Sequence, residues 1–524
     1  MPLRVNDKIL NMKKILLLLS VLLSSTLFAQ NPSDVLNYSF NPSNGSARNL
    51  AIGGVMGSLG GDITATYVNP AGLGFYRTGE FVFTPGFNFN NNKGLYREFS
   101  TREKKNGFSL GQVGFVVGTG VRGKKKGAQA ISIGMMQTAN FNNSIHYKGL
   151  NNYSSYTEMW AEEVAKSGKT IDEIIFDPQY SLTSALGLYT YLVDTFRVNN
   201  TLQVKGLPEF ILDNGNALLQ ENTVDTKGGI YELALGYGYT GNEKFYIGGT
   251  LGIPIVSYSR ETSYSEKDTS ANQNNGFGYF NYQENLKTTG VGVNGKFGII
   301  YRPDEYLRFG LAIHTPSIYF LTDKRHASLE AETENYNQYA KISSEELNNG
   351  AIAQTKYELL SPWKVILSGS YVFREVEDVK KQKGFISADI EYVNHNGSTF
   401  YSGADQPTGD DKAYYKALTS IVKNDYKGAF NFRVGGELKF NILMGRLGFA
   451  YYGNPYKDNA LKANRALISG GLGYRHKGIF VDVTYVHNIS KDNNFPYILE
   501  DRANTFASLK QQRGSLVATI GLKF

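Results

Sequence analysis

The sequence predicts an all-β protein, an antiparallel transmembrane β-barrel of about fourteen strands. Three observations predict it: apolar and polar residues alternate over about fourteen segments, short turns join several of these segments, and the chain begins with an export signal although it contains no cysteine. The composition agrees, because 57 Gly, 36 Tyr and 31 Phe beside only 14 Pro favour strands and tight turns. A mean hydropathy of -0.31 is too polar for a bundle of membrane helices.

The amino terminus predicts export from the cytoplasm. Lys13 and Lys14 precede an apolar run at residues 15–23, and small and polar residues follow as far as Ala29. This order is typical of a secretory signal peptide, here residues 1–29, whereas a membrane anchor would need a longer apolar run. Cleavage removes four basic residues and one acidic residue, so the net charge falls from +7 to +4. With no stripe of Lys or Arg, that mild charge predicts no nucleic-acid partner.

The strand segments have one apolar and one polar face. The clearest examples are residues 385–393, 431–440, 481–485 and 515–524. In residues 431–440, Phe432 and Val434 alternate with Asn431 and Arg433. A soluble sandwich buries its apolar faces against each other, whereas a transmembrane barrel turns them to lipid. Consecutive hairpins, aromatic residues near strand ends and export without disulfides favour the barrel.

The segment before the first strand predicts a plug inside the barrel. Residues 47–75 are rich in glycine, and Asn69-Pro70 is typical of a turn. The segment is too irregular for lipid and too apolar for a solvated tail, and irregular backbone at membrane depth must be buried in protein. We therefore expect residues 30–78 to form an N-terminal hatch and residues 79–524 to form the barrel.

This segment resembles the hatch of the FadL/TodX family of outer-membrane transporters for long-chain fatty acids and other hydrophobic compounds. The matching positions are Ala47-Arg48, Gly53-Gly54, Asp62 with Ala65, and the motif Asn69-Pro70-Ala71 followed by Gly72-Leu73. Further similar segments are 307–316, 361–364, 388–392, 433–437 and 469–486. The resemblance implies a fourteen-stranded monomer in the outer membrane of a Gram-negative bacterium. Phe524 resembles the final aromatic residue that such barrels present to the barrel-assembly machinery.

The resemblance also implies passive uptake of the hydrophobic ligand and its lateral release into outer-membrane lipid, through an opening at a kinked third strand. We expect this strand at residues 128–147. Its apolar face is predicted to contain Ile131, Ile133, Met135, Ala139 and Phe141, and Gln137 interrupts that face. Because glycine gives a strand freedom to bend, the predicted lateral opening is Gly134, Met135, Met136 and Gln137. The alternative is a plain bulge, or a different register of the strand.

Helical patterns are predicted in two loop inserts. Thr170 with Glu173 fits a capping box, and Asp177-Pro178 offers an N-cap followed by a first-turn proline. Apolar residues then recur at helical spacing, at Leu182, Ala185, Leu186, Tyr189, Leu192, Val193 and Phe196. This stripe either packs on the barrel rim or forms an apolar entrance for a ligand. A weaker helical pattern covers residues 413–423.

Inward-facing charges predict a structural network and not an active site. Asp389, Glu391, Arg433 and Glu437 are all expected to face the lumen, where they would hold the hatch, although the first two could act as paired carboxylates. Glycine motifs at 107–111 and 290–295 lie inside alternating sequence with no helix after them, so neither predicts a nucleophile elbow or a dinucleotide site. We predict no catalytic activity, no cofactor and no metal.

Three functions remain open on the sequence. The leading prediction is a passive transporter for long-chain fatty acids or similar hydrophobic compounds. A general porin is the first alternative, although it would need an open constriction and no plug. The second is a receptor for another apolar ligand such as haem, with His314 as an axial ligand, although a histidine in a His-x-Pro turn is more often structural.

Overall fold

The computed structural model describes residues 34–121, 126–198, 200–373 and 383–524. The predicted signal peptide lies outside these residues. Nineteen strand pieces form one sheet, which closes where β1 (Glu80–Tyr96) pairs antiparallel with β21 (Ala507–Lys523). Closure leaves no free edge, so backbone groups along the wall find partners without water.

The pieces combine into fourteen barrel strands, and the predicted fold class is confirmed. Besides β1 and β21, eight barrel strands are continuous: β2 (Phe99–Gly120), β7 (Leu218–Thr240), β8 (Phe245–Asp268), β9 (Tyr279–Tyr301), β17 (Gly428–Phe440), β18 (Leu443–Tyr452), β19 (Arg465–His476) and β20 (Ile479–Asn494). Four others are interrupted: β3 (Ala128–Asn140) with β4 (Asn143–Asn151), β10 (Leu307–His314) with β11 (Ile318–Glu332), β12 (Tyr339–Ser343) with β13 (Ala353–Leu360) and β14 (Lys364–Phe373), and β15 (Gly384–Asn394) with β16 (Thr399–Ser402).

The alternation seen in the sequence becomes an apolar outer face and a polar inner face. On β17, Phe432 is 46% exposed on the outer face, whereas Arg433 beside it is 4% exposed on the inner face. Ile390 and Asp389 on β15 differ in the same way. An apolar band around a closed sheet is the surface of a transmembrane barrel. Among the described helices, none has the length and apolar character needed to cross a membrane.

The two ends of the barrel differ in their connections. Short turns join strands at one end, at residues 241–244, 302–306, 441–442 and 477–478. The longest connections lie at the other end, at residues 152–217, 403–427 and 495–506. Because barrels of this type have short periplasmic turns and long outer loops, we call these the inner end and the outer end.

Helices occur in the N-terminal segment and at the outer end. They are α1 (Asp34–Ser39), α2 (Ala47–Ala51), α3 (Ala65–Val68), α4 (Tyr156–Ser167), α5 (Ile171–Ile175), α6 (Ser184–Tyr189), α7 (Leu207–Asp213), α8 (Ser344–Leu347) and α9 (Gly409–Asp425). Short 3-10 turns lie at Pro70–Phe75, Pro178–Tyr180 and His395–Gly397.

The outer-end insert is only partly as predicted. The capping box at Thr170 is present, since its backbone N–H donates to Glu173 at 2.7 Å, and α9 includes the weaker predicted helix. The prediction of one long apolar helix over residues 182–196 is wrong. Helix α6 ends at Tyr189, Tyr191 takes a left-handed φ of 56°, and β5 (Val193–Val198) then pairs with β6 (Thr201–Gly206). Except for Tyr189, which is 45% exposed, these apolar residues pack in or against a core around Trp160. A helix and a strand can both supply such core residues, so apolar spacing alone did not distinguish them.

Candidate functional site

The N-terminal segment lies in the barrel lumen. It bonds to inward-facing residues of strands on every side of the wall, through the pairs Ala47–Thr519, Ala47–Thr484, Ala51–Ser469, Met56–Asp389, Thr66–Thr250, Thr66–Ser132 and Thr64–Gln112. A segment that reaches strands all round a closed sheet must fill its interior. The predicted plug of the fold class is therefore present, and we use hatch for residues 40–76, most of which are buried.

Asn69 of the hatch motif ties the turn to the wall. Its Oδ1 accepts the Ala71 N–H at 3.1 Å and so caps the 3-10 turn that begins at Pro70. Its Nδ2 donates to the Gly57 carbonyl at 2.5 Å and to the Ile299 carbonyl of β9 at 3.3 Å. The side chain is fully buried, so no water replaces a lost bond.

Glycines on the inner wall make this close contact possible, and sequence reasoning missed them. A Cβ at Gly298 would overlap Asn69 Oδ1, and one at Gly248 would overlap the Pro70 backbone. Both glycines occupy inward positions of strands whose other face is apolar. The sequence signal for such a close contact was therefore a glycine at an inward position of a strand, where a polar side chain is usual.

The structure brings Asp389, Glu391 and Arg433 together on the inner wall. Arg433 lies 2.6 Å from Glu391 and 3.9 Å from Asp389. Asp389 Oδ2 also accepts the backbone N–H groups of Met56 and Gly57, each at 3.2 Å. All three side chains are buried, so the charges are compensated by one another and by the hatch backbone.

Glu437 belongs to a second network. Its carboxylate lies 2.6 Å from Arg446 and 3.5 Å from Arg48 of the hatch, and Arg446 reaches Asp482 at 2.5 Å. The predicted charge network did not include Arg48, Arg446 or Asp482. The signal for the last two was their inward position in alternating segments, but alternation alone does not say which inward residues meet across strands.

The third barrel strand leaves its neighbour partway along its length. Pairing of β2 with β3 runs from Gly120 with Ala128 to Gln112 with Met136 and stops there. Pairing of β3 with β7 continues to Asn140, with a register shift between Gln137 and Ala139. In the described residues, the part of β2 before Gln112 pairs with β1 alone.

After the shift the third strand runs on the inner side of the wall. Asn90 Nδ2 of β1 donates to the Asn142 carbonyl at 2.8 Å, and Thr101 Oγ1 of β2 donates to the His146 carbonyl at 2.5 Å. Side chains thus replace the backbone ladder between these strands. Phe141 packs inside the barrel, with its ring centroid 5.1 Å from that of Tyr258.

The predicted outer face of this strand is correct only as far as Met135. Gln137 is 2% exposed and does not face lipid; its Nε2 donates to the Tyr231 hydroxyl at 3.1 Å, and its carbonyl accepts from Asn44 of the hatch at 2.7 Å. Ala139 and Phe141 are buried too. For Ala139 and Phe141 the register shift is the cause, because one extra residue reverses every later face, whereas Gln137 lies before the shift and bonds to Tyr231, its partner in register.

The irregularity also lies later than predicted. Gly134, Met135 and Met136 sit in the regular ladder, and the break begins at Gln137. The first three residues of the predicted opening therefore belong to the continuous wall, and the fourth, Gln137, lies at the edge of the break.

Two cavities flank residues 41–44, which line both. The first, about 150 Å³, includes Lys296, His314 and Lys364 of the wall among its lining residues. The second, about 140 Å³, lies beside the third strand and includes Ser109, Gln137 and Thr138. Towards the outer end, an apolar cluster that includes Phe141, Tyr258, Tyr319 and Leu359 surrounds Val35 of α1.

Comparison with known proteins gives the fold. No protein-family model and no curated protein matches this chain. A solved structure of a Pseudomonas aeruginosa FadL homologue is 14% identical, with a TM-score of 0.53, over 92% of this chain and 99% of that one. This chain has the FadL homologue's fold. The Pseudomonas putida toluene transporter TodX (12% identity, 92% and 99% coverage, TM-score 0.49) and the Ralstonia pickettii toluene transporter TbuX (13%, 93% and 100%, 0.47) are also similar, but the fold assignment rests on the first.

Within this FadL-like fold, His314 has a structural contact. Its Nε2–H donates to the Val68 carbonyl of the hatch at 2.8 Å, and the ring is buried. In the part of the chain that the structure describes, no three His, Asp or Glu side chains are grouped as metal ligands. The absence of catalysis stays a prediction.

Proposed function

We propose that the protein is an outer-membrane transporter that takes up hydrophobic compounds, long-chain fatty acids in particular, by passive diffusion and releases them sideways into the membrane. One observation carries the proposal: the third strand leaves the β2 ladder at Gln137, beside a cavity lined by the hatch. The backbone ladder of the wall thus has a gap, between β2 and the third strand, beside an internal space. A fatty acid is expelled by water and accepted by hydrocarbon, so lateral exit is downhill.

The proposed route begins at the outer end. The apolar cluster around Tyr258 and Tyr319 offers a surface for an acyl chain, and residues 41–44 separate the two cavities below it. A ligand would pass these residues to reach the gap beside Thr138. The two charge networks at Arg433 and Arg446 would hold the rest of the hatch in place during this passage.

Lys364 supports a carboxylate ligand. It lines the first cavity, and among the described residues no carboxylate lies within ion-pair distance of its Nζ, whereas Lys296 nearby is paired with Glu232. The nearest opposing charge is the Glu391 carboxylate, which is itself paired with Arg433, so this partly buried ammonium can still accept an anionic head group. A long-chain fatty acid supplies both this head group and the apolar chain.

Location, processing and partners form part of the same proposal. The apolar band and the short inner-end turns are typical of the outer membrane of a Gram-negative bacterium. We infer a signal peptide at residues 1–29, a hatch domain at 30–78, a barrel domain at 79–524, insertion by the barrel-assembly machinery, and a monomer.

The two alternatives have less support. A general porin needs an open lumen, and here the hatch bonds to strands on all sides. A haem receptor would use His314, whose Nε2 is already bonded to the hatch backbone.

Uptake through the gap is tested with Ser109→Trp. This residue lines the cavity beside the third strand, so an indole there should obstruct the exit. In cells that lack their own fatty-acid transporter, we expect uptake of labelled palmitate to fall at least about tenfold. Phe108→Trp is the control, because Phe108 is 84% exposed on the outer face. Heat-modifiable migration in gels shows that both variants fold, and equal uptake by the folded variants would refute the lateral route.

The ligand class is tested with Lys364→Gln. By calorimetry in detergent, the protein should bind palmitate at least about tenfold more tightly than hexadecanol, which corresponds to about 1.4 kcal/mol for the head group. Lys364→Gln should remove this preference, whereas Lys356→Gln, an exposed lysine on β13, should keep it. Equal affinities for the acid and the alcohol in the unaltered protein would contradict a fatty-acid site. Tight binding of haem in their place would favour the receptor.

A further inference from the structure

A row of three lysines crosses the outer surface of the barrel towards its outer end. Lys227 of β7 is in register with Ser259 of β8, Ser259 with Lys287 of β9, and Lys287 with Lys324 of β11. Residues in register on neighbouring strands share a face and lie about 5 Å apart. The three lysines are exposed and stand at one level, within about 15 Å of one another.

The lysine row lies just above the apolar band. Towards the inner end, the next outward level holds Gly229, Ser257, Thr289 and Thr322, and the level after that holds Tyr231, Ile255, Val291 and Phe320. Val291 and Phe320 are each 50% exposed on the outer wall. Four residues of strand span about 13 Å, so the ammonium groups stand at the boundary between hydrocarbon and head groups.

The lysine charges at this level are only partly offset by neighbouring acidic side chains. Within the described residues, none of the three lysines has a carboxylate within 4.0 Å. Asp225, one level higher, is paired with Lys105 at 2.9 Å, and His326 lies 3.4 Å from Glu345. Glu261 is the remaining acidic side chain that faces the row.

A cavity lies beside the lysine row. It measures about 310 Å³, and its lining includes all three lysines together with Ile352 from the connection between α8 and β13. Ile352 is 52% exposed, so the cavity has an apolar side chain at one margin and cations at another. A molecule that fits it combines anionic groups with hydrocarbon.

We propose that the lysine row binds the phosphate groups of the phosphorylated glycolipid in the outer leaflet, with the acyl chains along Tyr231, Ile255, Val291 and Phe320. The inference rests on the proposed outer-membrane location but not on the transported ligand. The row lies towards the outer end, where the leaflet consists of this lipid. Clustered lysines at a membrane surface attract anionic lipid head groups, and the cavity beside the row gives this attraction a defined position.

The test measures binding of diphosphorylated lipid A to the full-length protein in detergent by native mass spectrometry. We expect one tightly bound lipid, and at least about tenfold weaker binding in the triple variant Lys227→Gln, Lys287→Gln, Lys324→Gln. The control variant Lys412→Gln, Lys416→Gln, Lys423→Gln removes the same charge from exposed positions on α9 and should bind as the unaltered protein does.

Three further ligands separate the sources of phosphate. Dephosphorylated lipid A should bind weakly, phosphatidylglycerol should not displace lipid A, and inorganic phosphate should not compete. Equal binding by the triple variant, or equal competition by phosphatidylglycerol or free phosphate, would overturn the proposal. Palmitate uptake by the triple variant is measured in parallel. Lipid A binding without uptake by the unaltered protein would refute the proposed function alone, and uptake without lipid A binding would refute this inference alone.

Discussion

At the scale of single residues, the glycines of the inner wall, which have no side chain, matter as much as the side chains that bond to the hatch. Gly298 leaves room for Asn69 Oδ1, and Asn69 in turn reaches the backbone of both the hatch and β9. Gly248 does the same for Pro70. The hatch motif therefore requires complementary positions some two hundred residues later in the chain.

Gly298→Ala should displace the hatch turn. Its methyl group would overlap Asn69, and overpacking of this kind costs about 1–3 kcal/mol. We expect a lower denaturation temperature for the folded barrel and a higher single-channel conductance in planar bilayers, because the displaced turn leaves a path open.

Gly295→Ala is the control for this change. It lies on the same strand, and a Cβ there meets its nearest atom at 3.6 Å, an ordinary contact. The close-packing argument fails if the two variants have the same thermal stability and conductance.

At the scale of elements, the outer-end insert is a small folded unit of its own. Gly206 caps helix α7, since its N–H donates to Glu209 at 2.6 Å, and the insert packs around Trp160. Burial raises the pKa of Glu209 to about 7, and the nearby Lys205 ammonium opposes this rise.

The raised pKa gives the insert a pH dependence. The folded insert holds a proton on Glu209 at pH values where the unfolded chain, with an ordinary pKa near 4.5, has lost it. The stability of α7 should therefore be greatest below pH 4.5 and should fall as the pH rises to about 7. Hydrogen exchange of residues 207–213 across this range measures the effect.

Glu209→Gln should remove that dependence, because glutamine can still accept the Gly206 N–H but does not ionise. Asp172→Asn, an exposed position on α5 of the same insert, should leave it unchanged. Exchange that slows as the pH rises, after correction for the intrinsic rate, would have the wrong sign for this explanation.

At the scale of the whole molecule, the barrel and the hatch are separable in principle. The sheet closes through β1 and β21 without the hatch, whereas the hatch is held by single side-chain bonds to many strands. A closed backbone ladder is the larger stabilising element in lipid.

Deletion of residues 34–78 should leave a barrel that assembles and conducts. We expect heat-modifiable migration in gels to persist and the conductance in planar bilayers to rise at least about tenfold, since the plug fills the lumen. A chain carrying Lys412→Gln, an exposed position on α9, keeps the hatch and should stay close to the unaltered protein. A deleted chain that folds but does not conduct would show that the loops close the channel.

Local pattern determined the fold class, the faces of most strands and the inward position of Arg433 and Asp389. Alternation with a period of two is a property of each strand by itself, so it can be found without knowing any partner. The capping box at Thr170 is local in the same sense. The hatch could be predicted from the sequence because irregular, apolar backbone in a membrane barrel has to be buried.

Only the tertiary structure decided which strands meet and where one departs. The register of β3 against β7 shifts after Gln137 and so turns Ala139 and Phe141 into the barrel, and the register of β17 with β18 places Glu437 opposite Arg446. The lysine row exists only because four strands align Lys227, Lys287 and Lys324 at one level. The physical reason is common to all three cases: alternation fixes the face of a residue within its strand, whereas its height along the barrel depends on turns and bulges in other strands.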